Sequence, residues 1–261
     1  MKKLNKLILL SFITFIGNAW ALDAKQQHEI SWKHNASVVI NAFKQRNKTD
    51  IAELISYPLK RRYPIPAIKD KAEFLNRFNE VFDENFIRLI ANSNLEADWK
   101  DGGWRGITFS RGKLWLGHGD EVKIIGINHQ TLKEQAIKAS LIEKNKQTLH
   151  PSIREYERPI LEWQTAKFHI RIDQMGPKNY RYASWSVGNK VGDKPDLILL
   201  NGKVKYIGSG GNHHYSFING NYTYRCDVTV IGKDDSPPGI LSVFKGQERI
   251  LSENVLIKLR Q

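Results

Sequence analysis

Cysteine is almost missing from this sequence: Cys226 stands alone in 261 residues. One thiol excludes an intrachain disulfide, so the fold must be held by its apolar core. Cys226 alternates with Tyr222, Tyr224, Val228 and Val230, which reads as a buried strand position and not as an activated nucleophile. Long apolar runs are missing as well: beyond the N-terminal segment nothing is long or apolar enough to span a membrane. The eight histidines show neither HxH nor HExxH spacing. Adjacent residues on a strand point to opposite faces, so His213 and His214 do not read as a ligand pair. Spacing therefore predicts no metal site, and no motif predicts a cofactor.

What is present begins at the N-terminus. Lys2, Lys3 and Lys6 precede the apolar run LILLSFITFIG, and Ala19 and Ala21 follow it at the two positions a signal peptidase reads. This order predicts a signal peptide over residues 1–21, cleaved to leave Leu22 first. The run is short for a spanning helix, which takes ~20 residues, and no Cys follows to carry a lipid. The expectation is an exported, periplasmic chain with no transmembrane segment after cleavage.

The charge balance is basic, 40 Lys and Arg against 27 Asp and Glu, a formal +13. The excess is spread along the chain, and Lys60-Arg61-Arg62 is the one compact run. A nucleic-acid binder shows a stripe or a recognisable module; neither is present. A diffuse positive field suits an anionic envelope component or an acidic protein partner.

Periodicity divides the chain. Ala36, Val39, Ala42 and Phe43 mark a helix over 31–46, Thr49 is placed to cap a short helix over 50–55, and SYPLKRRYPIP is too proline-rich to be helical. Phe74, Phe78, Val81, Phe82 and Ile90 predict one long helix over 70–91. From LEADWKD to EVKIIGIN the period falls to two, as in successive antiparallel strands. A helix over 131–147 follows, with Leu132, Ala136, Ala139 and Ile142 on one side. From 156 on the signals are β: Phe168, Ile170 and Ile172 alternate with His169, Arg171 and Asp173, and Asn201-Gly202 and Asn219-Gly220 read as hairpin turns. The expected class is α+β: a domain over 22–130, a helical linker over 131–155, and an antiparallel barrel or sandwich over 156–261.

The glycine cluster at Gly208, Gly210 and Gly211 lies between two strands, lacks the Lys-Ser/Thr of a phosphate-binding loop and the third glycine of a dinucleotide fingerprint, and precedes no helix. It reads as a hairpin loop, with a ligand-touching loop left open. His118 and Asp120 stand as a base and its orienting carboxylate or as polar turn residues. Neither Ser110 nor Ser184 lies in a nucleophile elbow. The tryptophans and tyrosines read as core or as a sugar-binding surface.

The stretch from VVINAFKQRNKTD to GITFSRGKLWL resembles NTF2-like, cystatin-like cone domains of exported bacterial proteins, and FHIRID through NHHYSFINGNYTY resembles a β module of uncharacterised secreted bacterial proteins. The first resemblance implies helices wrapped on a curved sheet, sometimes around a pocket, and carries no catalytic residue onto this chain. Together these readings lead to an exported binding or interaction protein without catalytic activity, its partner a protein or an envelope glycan. The binding residues to test are Arg61, Arg62, Trp104, Trp115, His118, Gly210, Gly211 and His213. The alternative is a periplasmic hydrolase acting on a cell-wall or lipid substrate in the cone pocket.

Overall fold

A computed structural model describes residues 13–119 and 121–260. The lysine-rich start and most of the apolar run of the expected signal lie outside the described residues, as does Asp120. The chain divides into two compact units: one runs to Arg61 and resumes over Ala67–Gln135, the other holds Arg62–Pro66 and everything from Ala136 on. The class is mixed helix and antiparallel sheet. No helix among the described residues is long and apolar enough to cross a membrane.

In the first unit, α1 (Ile13–Gln45) buries Ala36, Val39, Ile40 and Phe43, one face at helical spacing. Arg46 then turns into the left-handed region, and α2 (Lys48–Glu53) starts at Asn47, whose side chain accepts the Thr49 N–H. The cap is thus Asn47 where Thr49 was expected. Beyond α2 the chain runs extended, Ser56 donating to the Ile124 carbonyl, and Leu59 pairs back with Ile68.

The single helix expected over 70–91 is two. Asp70 caps α3 (Lys71–Val81) by accepting the Glu73 N–H, and Asp83 caps α4 (Glu84–Ala91) by accepting the Phe86 N–H at 2.7 Å. Between them Phe82 is extended, which sends its ring into the core against Phe43 and Phe86. A short α5 (Leu95–Asp98) then leads into β1 (Trp99–Asp101), β2 (Ile107–Phe109), β3 (Leu114–Leu116) and β4 (Ile124–Ile127), an antiparallel sheet in chain order. Ile107, Phe109, Leu114, Leu116 and Ile124 face the helices, and Phe74, Phe78, Phe86 and Trp99 fill the space between. Each buried aromatic ring removes much apolar surface from water, so this cluster dominates the unit's stability.

α6 (Leu132–Gln147) does not bury the face that its apolar residues suggest. Leu132 is 82 % exposed and Ala136 and Ala139 face water, while Glu134, Ile142 and Asn145 are buried. The helix is held by polar partners: Glu134 by Arg61 in the first unit, Asn145 by Tyr156 and Arg171 in the second. Hydrophobic periodicity cannot report a helix face of that kind.

The second unit is a nine-stranded antiparallel sheet. In chain order it runs through β5 (Arg158–Gln164), β6 (Phe168–Gly176), β7 (Asn179–Ser186), β8 (Leu197–Tyr206), β9 (His213–Asn219), β10 (Tyr222–Val228), β11 (Gly239–Lys245), β12 (Glu248–Asn254) and β13 (Ile257–Arg260). β12 pairs with β11, whereas β13 pairs with β5 at the far edge. Consecutive residues span the two: Val255 donates to the Gly239 carbonyl and Leu256 to the Gln164 carbonyl. The inner face carries Leu161, Trp163, Ile170, Ile172, Tyr182, Phe217, Cys226 and Leu241. Burial pushes the Cys226 thiol far above its ordinary pKa, so it is inert.

The opposite face of β5–β7 is buried too. There Arg171 and Arg181 both bond Asp173, Arg171 also meets Glu162 and Asn145, and Ala183 and Trp185 pack with Ile142, Ile153 and Tyr156. Burial alone would lower the Arg171 pKa, but the Asp173 and Glu162 carboxylates outweigh it and hold the guanidinium charged. The His169, Arg171, Asp173 side of the strand is therefore a covered ionic layer.

Asn201-Gly202 is not a hairpin turn. β8 runs straight through it: Tyr180 pairs with Gly202 and Tyr182 with Leu199, so β8 carries one extra residue there, and Asn201 takes φ +61 as a bulge. A Cβ on Gly202 would stand 2.1 Å from the Phe217 ring, so the glycine serves a ring contact. Asn219-Gly220 does mark a hairpin, one residue on: Asn219 pairs with Tyr222, Gly220-Asn221 form the tip, and Gly220 has φ +58. A positive φ at the first tip residue alone fits a type II′ turn.

Candidate functional site

Curling the second unit's sheet leaves a cavity of about 460 Å³ against its inner face. Strand alternation builds its wall. Phe168 on β6, Tyr182 and Ser184 on β7, Tyr224 on β10, Leu241 and Val243 on β11 and Leu251 on β12 all line it. Ser184 sits at an inward position where a large apolar residue would complete the core; its small side chain leaves the space open. Tyr182 forms the deep wall, in ring contact with Phe217 and Tyr224 and two residues from Ser184 on the same strand face. Burial drives its phenol pKa well above the ordinary range, so the group stays a neutral hydrogen-bonding hydroxyl.

Polarity gathers at the mouth. Ser186, Asp196, Asn219 and Tyr222 are exposed there, and Asp196 accepts both the Ser186 N–H at 2.7 Å and its hydroxyl at 2.9 Å. The result is an apolar, aromatic chamber with hydroxyls in its depth and a carboxylate at its rim. Among the described residues of the lining, Asp196 is the one carboxylate, and no His, Cys, Lys or Arg accompanies it. Such a chamber can hold an apolar body and orient a polar end.

The expected binding residues lie elsewhere, and several are structural. The Arg61 side chain is 2 % exposed: its guanidinium bonds both oxygens of Glu134 and the carbonyls of Ile127 and His129. It presents no charge to a partner, whereas Arg62 is exposed. Trp104 and Trp115 do not line the interior of the first unit. Trp104 is 67 % exposed on a turn, beside the Arg105 guanidinium. Trp115 alternates with the buried Leu114 and Leu116, so it lies on the sheet face opposite the core, donating to the Gly112 carbonyl.

Gly210 and Gly211 belong to the β8–β9 hairpin loop. The Asn212 side chain ties that loop to Val230 and Ile231, a Cβ on Gly210 would stand 3.0 Å from Ile231, and Gly211 has φ +88. The glycines answer to turn geometry and close packing. His213 bonds the Gly211 carbonyl and lies among Tyr206 and Tyr215, while His214 on the other face approaches Asp227.

His118 does gain a carboxylate, but from Asp101: Nε2 is 3.2 Å from Oδ1. Its expected partner Asp120 is outside the described residues. His28 joins the pair from α1, its Nδ1 3.6 Å from Asp101 Oδ2 and its ring 5.2 Å from that of His118.

Sequence reasoning missed the cavity residues. The available signal was Tyr-x-Ser-x-Ser at Tyr182, Ser184 and Ser186, small hydroxyl residues at alternating positions of an aromatic strand. Nothing in the sequence joins His28 to Asp101 and His118, because that meeting needs the helix and the sheet in place. No family model, no curated protein and no solved structure matches the chain.

Proposed function

We propose that this chain is an exported binding protein that takes a small, mostly apolar molecule into the cavity of its nine-stranded sheet and does no chemistry on it. The observation that carries the reading is the lining: aromatic and aliphatic walls, two deep hydroxyls at Tyr182 and Ser184, and a single carboxylate at the rim. Cavities of several hundred Å³ with few, placed polar groups are the usual form of small-molecule sites. An amphipathic ligand fits, its apolar part against Leu241, Val243 and Tyr224 and its hydroxyl or amine toward Asp196.

The finer architecture belongs to the same proposal. The first unit is read as an NTF2-like cone, supported by its helices packed over a short antiparallel sheet. The second is read as a barrel closed along residues 255–256, supported by the paired bonds of Val255 and Leu256 to the two sheet edges. Export through residues 1–21 places the site in the periplasm, where an envelope lipid or a glycan-linked apolar group is at hand. A hydrolase working inside the first unit would need titratable groups in its interior; the cluster there is built from Phe43, Phe74, Phe78, Phe82, Phe86 and their apolar neighbours.

Titration of the purified protein with N-phenyl-1-naphthylamine, an apolar fluorophore, tests the binding reading. Saturable, equimolar enhancement supports it, and a linear, unsaturable response overturns it. Recovery from the periplasm with Leu22 as the first residue tests the export reading separately.

A further inference from the structure

We propose that His28, Asp101 and His118 form a binding site for a divalent transition-metal ion, Zn²⁺ by its chemistry. The site lies wholly within the first unit and is independent of the cavity. Its three residues come from separate elements: α1, the end of β1, and the segment after β3. Among the described residues they form a cluster whose potential ligand atoms all lie within 4.8 Å of one another.

The two imidazoles flank one carboxylate: His118 Nε2 is 3.2 Å from Asp101 Oδ1, and His28 Nδ1 is 3.6 Å from Asp101 Oδ2. Zinc bonds imidazole nitrogen and carboxylate oxygen at about 2.0–2.2 Å, so tetrahedral ligands stand roughly 3.3 Å apart; three ligand atoms within 4.8 Å reach that spacing by small side-chain rotations at an exposed site. The imidazole rings are tilted at 43°, with centroids 5.2 Å apart, as two side chains turned toward one carboxylate.

The carboxylate is also aimed. Asp101 Oδ1 accepts the Gly103 N–H at 2.8 Å, an outer contact of the kind that orients metal ligands. The same glycine's carbonyl lies 2.8 Å from His118 Nε2 and accepts that nitrogen's proton while no ion is bound. Gly103 has φ +63, the left-handed conformation that presents its N–H and carbonyl together. For Nε2 to ligate, the neutral His118 ring carries its proton on Nδ1 instead, while the Gly103 N–H still orients the Asp101 carboxylate.

Two imidazoles and one carboxylate form a borderline N,N,O donor set, suited to Zn²⁺, Co²⁺ or Ni²⁺ and unsuited to Mg²⁺ or Ca²⁺, which favour all-oxygen shells. The fourth position is open to water. Bound metal joins α1, the end of β1 and the segment after β3 through one ion. All three residues follow Ala21, so a chain that begins at Leu22 keeps the site.

The test is calorimetric titration of the tag-free, chelator-treated protein with Zn²⁺, repeated with Co²⁺ while recording visible absorption. The expected result is one ion per chain, intense tetrahedral Co²⁺ bands, and no competition from excess Mg²⁺. His28→Ala and His118→Ala each weaken Zn²⁺ binding at least about tenfold, while His34→Ala, outside the cluster, leaves it unchanged. All three variants match wild type in circular dichroism with chelator present, since the site is exposed and the apo fold does not need it. Zn²⁺ raises the unfolding midpoint of wild type and His34→Ala only. Absence of saturable Zn²⁺ binding, or equal affinity in wild type and both cluster variants, overturns the proposal.

Discussion

Arg61 and Glu134 face each other as a doubly hydrogen-bonded ion pair, Nε to Oε1 at 2.6 Å and Nη2 to Oε2 at 2.7 Å, with both side chains almost fully withdrawn from water. Thr131 completes the arrangement: its hydroxyl accepts the Glu134 N–H and donates to the Glu80 carbonyl. One strong-looking surface charge of the sequence is thereby spent inside the fold.

Glu134→Gln keeps the shape of this contact and strands the guanidinium. Breaking a buried pair from one side costs about 3–5 kcal/mol, so urea unfolding of the first unit shifts to markedly lower denaturant. The double change Arg61→Met with Glu134→Leu recovers part of the loss, because it leaves no unpaired charge. Equal midpoints for Glu134→Gln and wild type would show that the pair contributes nothing.

A pair of glycines in the second unit separates packing from backbone freedom. At Gly202 a methyl group meets the Phe217 ring at 2.1 Å, while at Gly176 it meets nothing within 4 Å and needs no positive φ. Gly202→Ala is expected to cost about 1–3 kcal/mol through overpacking, and Gly176→Ala to be nearly neutral. Thermal melts of the two variants side by side check the contrast.

Asp83 gives the first unit an acid sensitivity. Burial alone would raise its pKa, but the Phe86 N–H and His129 outweigh it and hold the carboxyl below its ordinary value. Its contribution is complete above the unfolded carboxyl pKa, near ~3.9, and is lost as pH falls through the lower folded value. Asp83→Asn retains an oxygen to cap α4 and does not titrate. It should be slightly less stable than wild type at pH 7, and the gap should narrow as pH falls below the ordinary carboxyl pKa in a series of urea melts.

The sequence's legibility follows from what each residue answers to. The part of α1 from residue 31 on and the strand β6 from Phe168 to Ile172 were readable because apolar side chains recur at the period of their element and meet one core, whereas the helix's earlier start at Ile13 was not. The break between α3 and α4 was hidden inside a continuous apolar pattern, although Asp83, three residues before Phe86, is a capping signal. α6 was readable as a helix but not as a face, since polar contacts of Glu134 and Asn145 set its orientation. Asn201-Gly202 carried the composition of a turn and became a bulge, because only the paired strand fixes where the extra residue goes.

The functional residues were less legible for a related reason. A cavity is a missing side chain, and Ser184 gains meaning only once Tyr182, Tyr224 and Val243 surround it. His118 was singled out from its glycine-rich turn, yet its partners lie far off in the chain, at His28 and Asp101. Arg61 had the look of a surface charge because composition does not reveal a buried acid more than seventy positions later.

The most direct measurement of the central claim is a pair of binding isotherms for N-phenyl-1-naphthylamine, on wild type and on Ser184→Phe, with Val243→Phe as an independent second blocker and circular dichroism to check that each is folded. A cavity that holds apolar ligands predicts saturable, equimolar binding to wild type and a loss of at least about tenfold in affinity, or ~1.4 kcal/mol, in both blocked forms. Unchanged affinity in two folded, cavity-filled variants would place any binding elsewhere and contradict the account.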